Sequence, residues 1–140
     1  MTVLVTGASG GIGSSIAMRF ASVGMRVVIH YAQNIEAANE TARNCLNQAS
    51  QVLTVRADLS LEEEVLQMKE KLDRHGMTPD ILVNNAGTTF YGLLSDTTVE
   101  TWDYVINTNL RSTFLCSKTF MPYMISQKFG RIINVSSVWG

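Results

Sequence analysis

Hydrophobic positions along the chain alternate between two periods. Residues 2–6, TVLVT, form a short β-branched apolar run, the pattern of a strand covered on both faces. The next segment, IGSSIAMRFASVG, sets Ile12, Ile16, Ala17, Phe20 and Val23 at helical spacing and closes on Gly24. RVVIHY (26–31) is a second strand. NIEAANETARNCLNQ reads as a helix with Asn34 as its N-cap. QVLTVRA is a third strand, and SLEEEVLQMKEKLDRHG an amphipathic helix. There Ser60 and Glu63 have the spacing of a capping box, with further acid in the first turn. Pro79 precedes a fourth strand, DILVN. Residues 98–128 form a long helical stretch, which Pro122 must kink or divide. A fifth strand, RIINVSS, follows. Strands separated by helices of this length imply right-handed crossovers and a parallel sheet. The expected fold is a single α/β domain over 1–140, doubly wound, with strand order 3-2-1-4-5.

Composition narrows the picture by exclusion. The chain has 140 residues, 46% hydrophobic, and a formal charge of −1, enough for one buried core. Near-neutral charge gives no basic surface for nucleic acid and no polybasic patch for a membrane. The longest apolar runs fall short of the roughly 20 residues of a membrane span. The start, MTVLVTGASGG, has no charged region of a signal peptide. Cys45 and Cys116 lie far apart in helical patterns without a CxxC. They read as reduced core thiols of a cytoplasmic protein. No cluster of metal-ligand type occurs, so no metal is expected.

The first candidate chemistry is TGASGGIG (6–13), between the first strand and the first helix. Gly7, Gly11 and Gly13 let the backbone turn sharply and approach a pyrophosphate, while the helix N-terminus offers free N–H groups and a positive dipole end. Ser9 and Ile12 lie in the same turn. The spacing is G-x-x-x-G-x-G, not the G-x-G-x-x-G dinucleotide fingerprint, but its place after the first strand gives it weight. The residue ending the second strand normally meets the adenosine ribose. Here the chain reads IHYAQN, so Tyr31 stands where a carboxylate would select NAD(H). NADP(H) is therefore favoured over NAD(H), although no Arg or Lys in this stretch pairs a 2′-phosphate. His30 reads as a packed or solvated strand-end residue without a catalytic role.

Five motifs in order resemble the short-chain dehydrogenase/reductase family: TGASGGIG, ADLS (57–60), NNAG (84–87), WDYVINTNL (102–110) and GRIINVSSVWG (130–140). The resemblance covers the whole chain and implies a Rossmann fold and hydride transfer between a nicotinamide and a carbonyl or alcohol. It assigns Asp58 to the adenine amino group, a donor that suits an acceptor-only carboxylate, with Leu59 beside it. It sets Asn85, Ala86 and Gly87 beside the adenosine and nicotinamide-ribose part of the cofactor. Asn84 and Asn85 can equally tie neighbouring backbone together. It maps the family's catalytic asparagine onto Asn109, which interrupts a helix and holds a water of a proton relay. Asparagine is a poor helix former, so its place in mid-helix asks for such a reason. The resemblance maps the catalytic serine onto Ser137, a donor to the substrate oxygen. Ser136 would point to the other side if the strand continued. Within the family, the 3-oxoacyl-[acyl-carrier-protein] reductases and the reductases of aminopentanone-modified elongation factor P are about equally similar. The implied substrate is a small or carrier-bound carbonyl compound, and a homo-oligomer, tetramer or dimer, is expected.

The family's Y-x-x-x-K pair, a proton-donating tyrosine with a lysine that lowers its pKa, does not occur. Tyr31, Tyr91, Tyr104 and Tyr123 are followed at that spacing by Ile35, Ser95, Thr108 and Gln127. The chain is thus expected to be the N-terminal part of a longer reductase, lacking the family's C-terminal strands. The alternative is a truncated, non-catalytic dinucleotide-binding module. A fifth strand left at the edge would be an aggregation hazard.

Overall fold

Every apolar run of strand length forms a strand, and every neighbouring pair is parallel. The computed structural model describes residues 1–138; Trp139 and Gly140, the end of the GRIINVSSVWG motif, lie outside the described residues. The strands are β1 (Thr2–Val5), β2 (Arg26–Tyr31), β3 (Gln51–Arg56), β4 (Ile81–Asn84) and β5 (Arg131–Asn134). Their order is β3-β2-β1-β4-β5, as the crossover argument requires. The helices are α1 (Gly11–Ala21), α2 (Ile35–Leu46), α3 (Glu62–Arg74), α4 (Val99–Ile106) and α5 (Ser112–Ser126).

Alternation along the strands sorts the core into two layers. Val3, Val5, Val27, Ile29, Tyr31 and Val83 pack with Ala17 and Ala21 of α1 and Ala38 and Cys45 of α2. On the other face Leu4, Val28, Val55 and Leu82 pack with Val65, Met68 and Leu72 of α3 and Leu115, Cys116, Phe120 and Met124 of α5. Both cysteines are buried and free, and burial pushes the Cys116 thiol up to about 12. Among the described residues no helix is long and apolar enough to cross a membrane.

One cap forms as the sequence predicts, and a second forms at the start of α4. Asn34 accepts a hydrogen bond from Ala37 N–H, and Thr98 accepts one from Thr101 N–H. The capping box does not form. Helix α3 starts at Glu62 after Leu61, without a side-chain cap. Ser60 instead gives both its N–H and its hydroxyl to Asp58 Oδ1, at 2.9 and 2.6 Å. Glu64 accepts from Asp58 N–H at 2.6 Å. The local aspartate turn outcompetes the cap.

Nor does Pro122 divide the long helix. Helix α5 runs through it, and Pro122 and Lys118, whose carbonyl loses its i+4 donor, are both exposed. The interruption lies earlier, where Asn107–Arg111 wind as a π-helical turn between α4 and α5. Strand β5 ends at Asn134, and one further bond joins Val135 N–H to the Asn84 carbonyl. Strand alternation therefore stops before Ser136 and Ser137, and the inference that Ser136 points to the opposite side loses its basis.

Candidate cofactor and active site

Because all five strands are parallel, their carboxyl ends share one edge, and the candidate site residues other than Asn109 lie at or just past those ends. The glycine turn leaves β1, Tyr31 ends β2, Asp58 follows β3, Asn85–Gly87 follow β4, and Ser137 follows β5.

The glycine turn is held from three sides. Gly7 has φ +63°, and a Cβ there would stand 2.9 Å from Ala86 Cα, so both conformation and space demand glycine. Thr6 Oγ1 accepts from the N–H groups of Asn85 and Ala86, each at 2.9 Å, and donates to the Val83 carbonyl. Asn85 Nδ2 donates to the carbonyls of Thr6 (2.9 Å) and Gly7 (3.3 Å). Asn84 Nδ2 donates to Ser117 Oγ and Asn134 Oδ1. Asn85 thus ties neighbouring backbone together, whereas Asn84 joins side chains of α5 and β5. From α2, the Thr41 hydroxyl lies 3.1 Å from the Ala8 carbonyl.

The two helical glycines differ in kind. A Cβ on Gly13 would meet Gly7 O at 2.5 Å, Asn85 Nδ2 at 2.6 Å and Ala8 Cα at 2.9 Å, whereas one on Gly11 would meet nothing within 4 Å. Gly13 is glycine for packing. Gly11 is exposed, at the first helical position, and packing does not require it to be glycine. No side chain caps this end of α1, so its first-turn N–H groups face outward without intrahelical partners. An uncapped turn with room above Gly11 suits an anionic group that approaches the backbone closely. Ile12, exposed, and Ser9, half-buried, flank that space.

The adenosine-side candidates divide. Asp58 is exposed, with Oδ1 engaged by Ser60. Leu59 puts its side chain into the core, leaving its backbone to meet a ligand. Tyr31 is only 9% exposed and packs in the α1–α2 layer. Sequence reasoning passed over Arg56. It pairs with Tyr31 across the sheet, and its Nε donates to the Ala32 carbonyl at 3.2 Å. A guanidinium therefore stands directly beyond the end of β2, where the local sequence offers no cation. The signal was the register of two strands rather than any short motif.

His30, which sequence reasoning left without a role, is buried in this region. Gly7 N–H donates to its Nδ1 at 3.1 Å, and its Nε2 lies 2.9 Å from the Ala57 carbonyl. Desolvation lowers its pKa to about 4, against the smaller opposing effects of the Ala57 bond and Asp58.

Asn109 occupies the π-helical turn, a feature frequent at functional sites. Its Oδ1 accepts from Thr88 N–H and its Nδ2 donates to the Thr88 carbonyl, both at 2.9 Å. The side chain thus pins the segment leaving β4. A Cβ on Gly87 would come within 2.7 Å of Asn109 Oδ1, so Gly87 makes room for that contact. The Asn109 carbonyl accepts from the Thr113 hydroxyl at 2.9 Å. Ser137 is exposed past the end of β5.

Comparison with known proteins gives the family. The model of the short chain dehydrogenase family matches residues 1–140. A 3-oxoacyl-[acyl-carrier-protein] reductase of Synechocystis sp. is 43% identical over 138 residues, 98% of this chain and 56% of the relative. The 3-oxoacyl-[acyl-carrier-protein] reductases FabG of Staphylococcus epidermidis and Staphylococcus aureus are 38% and 40% identical, each over 99% of this chain and 57% and 56% of their own lengths. The chain thus spans little more than half the length of these relatives.

Proposed function

The chain belongs to the short chain dehydrogenase family, and from that premise we propose that it carries the nucleotide-binding machinery of an NADP(H)-dependent reductase. The proposed substrate class is a carrier-bound 3-oxoacyl group, as the names of the similar reductases suggest. The observation that carries the reading is the pair of helical glycines. Gly13 is fixed by packing, whereas Gly11 leaves an open cradle at an uncapped helix N-terminus. The residues present fit a dinucleotide.

Bound there, the cofactor would supply a hydride to a carbonyl. The chain's own residues bind and orient. The amides of Gly11, Ile12 and Gly13, with Gly7 and Ser9, would hold the pyrophosphate. Asp58 and the Leu59 backbone would take the adenine. Asn85, Ala86 and Gly87 would border the ribose next to the nicotinamide, and Tyr31 the strand end below the adenosine. Ser137 would donate to the substrate oxygen as negative charge develops there. Asn109 would hold the π-helical turn that orders a water for proton delivery. Arg56 beside Ala32, and the lack of a carboxylate at the end of β2, support NADP(H) over NAD(H). The reading includes a cytoplasmic homo-oligomer.

Titration with NADPH and NADH, alongside reduction of a 3-oxoacyl carrier substrate, tests the reading. NADPH is expected to bind more tightly. Arg56→Glu should bring the two affinities together, a loss of about tenfold or more in preference from removing a charge-assisted contact. An unchanged NADPH/NADH ratio in that variant would remove Arg56 from cofactor selection. NADPH binding without turnover would support the alternative, a non-catalytic dinucleotide-binding module.

A further inference from the structure

His30 is 2% exposed, yet it sits at the end of β2 between two turns that carry candidate cofactor residues. Gly7 N–H can only donate, so Nδ1 carries the lone pair and Nε2 the proton given to the Ala57 carbonyl. Both ring nitrogens are engaged. The other tautomer would set N–H against N–H and a lone pair against a carbonyl. The backbone of His30 acts on the same turn, because its carbonyl accepts from Ala8 N–H at 2.9 Å. One residue therefore holds two consecutive amides, at the point where Gly7 takes φ +63°. The core does not require this. Val28, the previous residue on that face, is plain hydrocarbon, and an apolar side chain at position 30 would avoid the desolvation of an imidazole.

We propose that His30 is a positioning residue for dinucleotide binding. It fixes the Gly7 peptide so that the open amides of α1 face the pyrophosphate, and it ties that turn to the Ala57–Asp58 exit of β3. The phosphate and adenine ends of the ligand are thereby held in one frame. The proposal rests on the cofactor reading above and adds a residue that does not itself touch the ligand. Burial keeps the ring neutral, the form these two bonds require.

Three substitutions separate the two bonds. In His30→Asn the side-chain carbonyl stands near the place of Nδ1 and retains an acceptor for Gly7 while losing Ala57. In His30→Gln the longer amide reaches toward Ala57 and leaves Gly7 unpaired. His30→Leu keeps bulk and loses both. Hydrogen exchange at the Gly7 amide, measured without cofactor, is expected to be about tenfold faster in the Gln and Leu variants and close to wild type in the Asn variant. NADPH affinity, followed by nicotinamide fluorescence, is expected to fall about tenfold in the same two variants and by less with Asn, which keeps the Gly7 bond and loses only the tie to Ala57. A long-range proton–nitrogen spectrum of the wild type should show the neutral Nε2–H imidazole. Equal Gly7 exchange in all four proteins overturns the proposal, as does an affinity loss that follows melting temperature rather than Gly7 exchange. Failure of the wild type to bind NADPH or NADH would instead remove the cofactor reading, and Gly7 exchange would still decide whether His30 sets the turn.

Discussion

Replacing Gly13 by alanine tests whether the glycine turn is a packed object rather than a flexible loop. The added Cβ would lie 2.5 Å from Gly7 O, 2.6 Å from Asn85 Nδ2 and 2.9 Å from Ala8 Cα. To reach ordinary contact, these atoms must retreat by roughly 0.5–0.9 Å. Two belong to the backbone of the turn itself. The third is the amide that donates to the Thr6 and Gly7 carbonyls. Overpacking costs about 1–3 kcal/mol, and each hydrogen bond lost with Asn85 about 1 kcal/mol more. Exchanging glycine for alanine in a helix returns at most about 1 kcal/mol. The net expectation is a loss of about 3 kcal/mol, a large share of a typical domain's 5–15 kcal/mol or so. Urea unfolding followed by circular dichroism measures it directly. Gly11→Ala is the control. Its Cβ meets nothing, so stability should hold or rise by up to about 1 kcal/mol, while NADPH affinity falls because the methyl group fills the cradle. A Gly13→Ala protein as stable as the wild type would refute the packing argument. A Gly11→Ala protein binding NADPH normally would refute the cradle.

Two further expectations follow from single side chains. His30 has a folded pKa of about 4 against an ordinary value of 6.5, so the unfolded chain takes up a proton first. Its contribution is fully present above about pH 6.5 and is lost as pH falls toward 4, by about 3 kcal/mol in all. Carboxylates titrate alike in the wild type and in His30→Asn, so the difference between their unfolding free energies across pH 7 to 4 isolates the histidine, and a flat difference would contradict its burial as a neutral ring. Ser137→Ala should lower kcat by about 10²–10³ if the hydroxyl stabilises the developing oxyanion and should leave NADPH affinity near wild type; a collapse of affinity with turnover per bound cofactor unchanged would assign Ser137 to cofactor binding instead.

Much of this arrangement was legible in the chain because parallel topology converts order into place. Once five apolar runs alternate with helices, the residue after each run must lie on one edge of the sheet, and Gly7, Asp58, Asn85 and Ser137 do so. The helix start at Asn34 was legible for a related reason, since its cap is decided within a single turn. Illegible features depend on competition or on partners distant in sequence. Ser60 and Glu63 have capping-box spacing, but Asp58 takes the serine first. Pro122 looks like the break in the long helix. The chain instead rewinds at Asn107–Arg111, where the Asn109 side chain is spent on Thr88, 21 residues away. Arg56 reaches Ala32 only because β2 and β3 pair in one register.

The glycine motif shows where reading the chain alone reaches its limit. As letters, Gly7, Gly11 and Gly13 are equivalent: each permits a tight turn and a close approach. In space they answer three different demands. Gly7 needs its left-handed backbone and a clear path past Ala86. Gly13 needs the absence of a Cβ so that Asn85 can reach under the turn. Gly11 satisfies neither demand, since its φ is ordinary and its surroundings are empty. Under the proposed cofactor reading, a glycine at a position where the fold does not need one answers a demand from outside the fold. At an uncapped helix N-terminus on the carboxyl edge of a parallel sheet, that demand is best met by an anionic ligand whose atoms approach the Gly11 backbone more closely than a methyl group would allow.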